Sequence, residues 1–227
     1  MTKLRRHRRW VIASLFLAVG TWALVRSRPD PATLPREIHV DIGAGYTIPR
    51  EFVASLPLGS DGKPEHVLIR VLWPSMEPLT QANRHLWKPE LPGRQILNIL
   101  IQRFGADGAK LLEGRIRYGE VGPSPQPGPF GLMLYQRDHP RIKRTMRILT
   151  PVDINYTSPT GTKFVLDCGD MFNWESQKTL KLYPICKVNY PQIDSTRIHY
   201  HFYQANLYDW RRIDSDVRRL ISSFRNP

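Results

Sequence analysis

The sequence is short of the features that carry chemistry. It has two cysteines in 227 residues, too few for a disulfide-stapled miniprotein or a four-thiolate zinc site. It has no Gly-x-Ser-x-Gly, no Ser-x-x-Lys and no His-Glu-x-x-His, which removes the common nucleophilic and zinc hydrolase signatures. Gly43-Ala44-Gly45 lacks the remaining glycine and the lysine of a phosphate-cradling loop. No repeat of fixed period is visible, which excludes solenoids and propellers. Acid is missing from residues 1–28, which carry Lys3, Arg5, Arg6, Arg8, Arg9, Arg26 and Arg28. Those seven charges make up more than half of the net +13. The rest of the chain is only mildly basic, with no basic stripe interleaved with aromatics, so nucleic acid is not an expected partner.

What is present starts with Trp10–Val25, WVIASLFLAVGTWALV, an uncharged run bounded by Arg9 and Arg26. As a helix it reaches about 24 Å, and Trp10 and the flanking arginines extend it toward the interfaces of a ~30 Å hydrocarbon core. Five basic residues within the first nine hold the N-terminus in the cytoplasm. The expected organisation is a basic cytoplasmic n-region over 1–9, a transmembrane signal-anchor over 10–25, a tether over 26–45, and a periplasmic domain over 46–227. The tether includes the proline-rich stretch RPDPATLP from Arg28 to Pro35. Cleavage after Ala18-Val19-Gly20 is the alternative, and it would leave Thr21–Val25 as an apolar stub. The predicted location is the bacterial inner membrane, single-pass, with residues 10–25 as the membrane contact.

The domain reads as α+β, mainly an antiparallel sheet with a C-terminal amphipathic helix packed on it. His66–Trp73 and Gln95–Phe104 have strand composition, and Gly131–Gln136 follows a Pro/Gly-rich loop, Gly122–Gly131. Lys163–Asp167, Leu180–Tyr190 and Arg197–Gln204 read as an antiparallel meander, with Pro191–Asp194 as its last turn. Arg197–Tyr203 alternates strictly, which sends Ile198, Tyr200 and Phe202 to the core and His199, His201 and Tyr203 to the other face. The period then changes: Trp210, Ile213, Val217, Leu220, Ile221 and Phe224 share one helical face, with Arg211, Arg212, Asp214, Asp216, Arg218 and Arg219 opposite.

Cys168 and Cys186 fall on neighbouring strands of the meander, and in an oxidising compartment they are expected to form a disulfide. A His-x-His pair such as His199/His201 holds a metal only with a third ligand, and strand histidines without that role are the commoner case. Asp167, Asp170 and Glu175 are close in sequence, but a carboxylate pair for acid–base work needs a set separation that sequence proximity does not give. The chain is therefore read as a non-enzyme with no cofactor.

A pattern links these residues: Tyr46-Thr47-Ile48-Pro49, then Gly131-Leu132 with Tyr135, Cys168, Pro184 with Cys186, and Leu207, Trp210 and Ile213 followed by Val217 and Leu220-Ile221. It resembles a group of small proteobacterial envelope proteins, some of which resemble immunity or accessory proteins of type VI secretion effectors. The resemblance implies a membrane-anchored periplasmic binding protein that occludes an envelope-acting toxin, and it implies no catalytic residues. Its partner is expected to be a protein, a secreted toxin. His199, His201, Tyr203 and the loop Gly122–Gly131 are the candidate contact residues. A structural component of an envelope or secretion machine is the alternative.

Overall fold

A computed structural model describes residues 35–86, 95–103, 124–139, 144–168, 185–192 and 196–226. The expected transmembrane helix 10–25 and the n-region 1–9 lie outside the described residues. So do Asp170 and Glu175.

A hairpin opens the described chain. Strand β1 (Glu37–Asp41) pairs antiparallel with β2 (Gly45–Pro49). Residues 37–45, read in the sequence as the end of a tether, thus form a strand and the turn into the next. A pairing partner only a few residues downstream supplies the hydrogen bonds that a free tether would take from water.

Among the described residues, ten further strands form one sheet: β3 (Val53–Ser55), β4 (His66–Trp73), β5 (Glu77–Pro78), β6 (Gln95–Arg103), β7 (Gln126–Pro127), β8 (Leu132–His139), β9 (Arg144–Pro151), β10 (Leu166–Cys168), β11 (Ile185–Pro191) and β12 (Thr196–Tyr203). Their order is β3-β4-β6-β12-β11-β10-β9-β8-β7, with β5 on β4. Every pairing is antiparallel. The strand expected at 66–73 is β4 itself, and that at 95–104 is β6 to Arg103. The meander is β10-β11-β12, in the order expected. Strand β9 was not foreseen. Its sequence, RTMRILTP, places two arginines among short apolar stretches and shows no clean alternation.

Side-chain alternation separates the two faces of the sheet. On the core face one row of paired residues crosses six strands: Ile69, Ile99, Tyr200, Val188, Leu166 and Leu149. All six are fully buried. Helix α1 (Trp210–Phe224) covers this face, and the β1–β2 hairpin shares its core through Val40, Ile42, Tyr46 and Ile48. The two hydroxyls of Tyr46 and Thr196 share a hydrogen bond of 3.1 Å, and Phe52 meets Phe224 edge-on at 5.1 Å. Asn226 pins the chain end to the hairpin by donating its backbone N–H to the Gly45 carbonyl at 3.1 Å.

Cys168 lies directly opposite Cys186 in the β10–β11 register, and the two are joined in a disulfide with Cα atoms 4.0 Å apart. Side chains of directly opposed residues share a face, so adjacency in register suffices to bring the sulfurs together.

The expected C-terminal helix is present, and its apolar face packs inward. Two assignments on α1 do not hold. Asp214 and Asp216, read as solvent-facing from their spacing, are buried. A 3.6-residue period places a residue on a face only to within about half a turn; Tyr156 and Tyr200 from other elements meet Asp214, and Asp216 is met by Arg212 and Arg219 of the helix itself.

Candidate functional site

The outer face of the sheet carries the residues singled out in the sequence. One row there runs Arg70, Asn98, His201, Lys187, Asp167 and Ile148. Arg70 Nε donates to Asn98 Oδ1 at 3.1 Å, which fixes the amide so that its Nδ2 donates to His201 Nε2 at 3.3 Å. His201 therefore accepts at Nε2 and is neutral. Burial pushes its pKa below the ordinary imidazole value, and the neighbouring Lys187 ammonium pushes the same way. Arg70, Asn98, His201 and Tyr203 line a shallow depression of about 220 Å³, with Ile96, Ile185 and Phe202. His201 and Tyr203 are thus brought together. His199 is one rung away, opposite Asn189 and Leu100. Among the described residues no group of three His, Cys, Asp or Glu is placed to hold a metal. Asp167 sits between Lys187 and Ile148 in the outer row.

A second surface lies at the loops that flank the start of α1. In the turn between β7 and β8 the amide of Gly128 donates to the Leu132 carbonyl at 2.8 Å, and Leu132 donates to the Pro129 carbonyl at 3.1 Å. The two central residues, Phe130 and Gly131, both have positive φ, at 56° and 72°. That suits glycine. For a bulky aromatic it costs about 1–2 kcal/mol. The conformation is held from outside. Trp210 Nε1 donates to the Phe130 carbonyl at 3.1 Å, and the Val152 amide donates to the Gly131 carbonyl at 3.0 Å. The Phe130 ring, 55% exposed, meets the ring of Tyr208 edge-on at 6.4 Å. Val152 at 56% and Ile154 at 86% exposure continue the apolar surface onto the loop after β9.

That loop is itself clamped to α1 from beneath. Asp214, fully buried, accepts from the Tyr156 hydroxyl at 2.7 Å and from the Tyr200 hydroxyl at 2.8 Å. Its other partner is Arg218, whose Nε lies 2.7 Å from Oδ2. The Arg218 guanidinium lies over the rings of Tyr156, Phe164 and Tyr190 at 5.2–5.9 Å and donates to the Thr157 carbonyl at 2.8 Å. Burial raises the Asp214 pKa, and the Arg218 charge and the hydrogen bonds from both tyrosines offset part of that rise. Burial, together with Asp214, also keeps the Tyr156 hydroxyl protonated. The cluster has the chemistry of a structural clamp: every group is either neutral or paired, and none faces solvent with a free acid or base.

Sequence reading named the loop Gly122–Gly131 but not Phe130 within it, nor Tyr208, Val152 or Ile154. The one available signal was Phe130-Gly131, an aromatic where a two-residue hairpin turn prefers Asn, Asp or Gly.

The fold defines a class: a wide single antiparallel sheet, one face roofed by a C-terminal helix and a hairpin. The sequence matches no protein-family model and no curated protein. Among solved structures, an immunity protein of the Stenotrophomonas maltophilia type IV secretion system matches with a TM-score of 0.57 and 15% identity, covering 85% of this chain and 94% of that one. At that identity the likeness is one of fold.

Proposed function

We propose that this protein is an immunity protein that neutralises a secreted toxin by binding and occluding it, without chemistry of its own. The observation that carries the reading is the match over nearly the whole length of a solved immunity protein. That protein belongs to a type IV secretion system, whereas the sequence resemblance points to type VI. The reading takes what the two share, protection against a delivered toxin. Occlusion needs a rigid scaffold with a complementary surface rather than a catalytic constellation, and the clamped loops around α1 provide one. The same proposal places residues 10–25 in the inner membrane and the folded domain in the periplasm. The basic N-terminus and the Cys168–Cys186 bridge support that side of the membrane.

The test is a competition between sister cells. A strain deleted for this chain is mixed with its parent on a solid surface, where delivery by contact occurs. The deletion strain is expected to be outcompeted, and a full-length copy is expected to restore it. Equal survival of the deletion strain rejects the immunity reading. A periplasm-active reporter fused after Pro227 is expected to be active; activity only of a cytoplasmic reporter would reject the anchored, periplasmic arrangement.

A further inference from the structure

We infer that Phe130 is the plug of the toxin-binding surface, and that its partner presents an apolar hollow rimmed by carboxylates. The inference rests on the immunity reading and adds to it the surface used and the chemistry of the occupant. Three observations converge on this surface. A bulky side chain is held in a left-handed turn conformation that glycine would adopt freely, and two hydrogen bonds from other elements keep it there. Strain maintained by its surroundings in this way is characteristic of functional positions. The ring it presents is half exposed and meets exposed Tyr208 edge-on, and the loop whose Val152 amide donates to the Gly131 carbonyl exposes Val152 and Ile154. Such a patch is a binding surface on a folded protein.

Charge selects the partner. Both acids of α1, Asp214 and Asp216, are turned inward and are met by arginines of the same helix. Solvent therefore sees arginines along α1. Arg211 and Arg212 lie in its first turn, where the helix dipole adds to the positive potential. Arg211 borders the patch directly. It lies over the rings of Trp210 at 4.8 Å and Tyr156 at 5.1 Å. Its ion pair with Asp153 is loose, at 3.7 Å between half-exposed side chains. An exposed pair of this kind is weak, so Arg211 can exchange Asp153 for a carboxylate of the partner. Aromatic and arginine side chains grouped in this way are the usual anchors of protein interfaces.

The experiment uses the sister-cell competition with the full-length chain. F130G removes the ring and relieves the positive φ, so its melting temperature is expected to stay within a few degrees of wild type. Its restoration of the deletion strain is expected to fall about tenfold or more, the loss typical of an anchor residue. R211E is expected to weaken protection as well, and K63A, in the exposed loop between β3 and β4 at the opposite edge of the sheet, to protect fully. Undiminished protection by F130G, accumulated to the wild-type level, overturns the inference while leaving the immunity reading in place. Failure of the wild-type chain to protect overturns both. A wild-type dimer that F130G converts to monomer with protection intact assigns the patch to a second copy of this chain and also overturns the inference.

Discussion

Asp214→Ala is the substitution whose cost follows most directly from the structure. The carboxylate is fully buried and serves three partners. Its removal leaves the Tyr200 hydroxyl, fully buried, without this acceptor, at about 1–3 kcal/mol. It also leaves Arg218, 27% exposed, without its counter-charge. Breaking a buried pair costs about 3–5 kcal/mol, and partial exposure of the guanidinium brings that figure down. A total of about 3–4 kcal/mol is expected, or a fall in Tm of about 8–14 °C for a domain of this size. Thermal and urea unfolding of a fragment covering residues 35–227 measures it. The sharper test is a double-mutant cycle with Arg218→Met. Alone, Arg218→Met strands the buried carboxylate and destabilises. In the Asp214→Ala background it removes an unpaired cation from among three aromatic rings and is expected to restore about 1–2 kcal/mol. If Arg218→Met destabilises equally in both backgrounds, the two residues are uncoupled and Asp214 and Arg218 do not form a clamp.

The same carboxylate gives a pH signature. Its pKa is raised on folding, so the folded state holds more protons than the unfolded state from the ordinary carboxylate value of 3.8 upward to the raised value. Stability from this group is therefore highest below that window and is lost as pH rises through it. Urea titrations of wild type and Asp214→Ala over the acid range are expected to differ by this slope; parallel curves would contradict the shift. The disulfide makes a separate prediction. Thiol labelling of the unfolded, unreduced protein is expected to find neither Cys168 nor Cys186 free. The bridge closes a loop of 18 residues, so reduction is expected to cost about 3 kcal/mol on chain-entropy grounds; two labelled thiols would refute it.

The strands that could be read in advance are those whose own composition decides them. His66–Trp73 is rich in β-branched and aromatic residues, and Arg197–Tyr203 alternates so regularly that its pattern alone assigns both faces. Helix α1 announced its apolar stripe by spacing alone. Strand β9 was missed because its burial comes from the β8 and β10 neighbours that flank it rather than from its own pattern. The β1–β2 hairpin was missed because Glu37–Asp41 alternates over only five residues and its inward side chains are covered by α1 and the sheet.

The amino-acid order by itself determined the strongly patterned strands and the C-terminal helix, the inward and outward sets along the last strand, and the pairing of two cysteines on adjacent strands, because each depends on a period or on neighbours close along the chain. The folded arrangement alone decided the rest. Asp214 became a buried clamp because Tyr156 and Tyr200, 58 and 14 residues away, reach it. Phe130 became an exposed ring on a strained turn because Trp210, 80 residues on, grips its carbonyl. Contacts between residues so far apart leave no periodic trace in a sequence, so the surface they build is visible only once the sheet has brought its loops together.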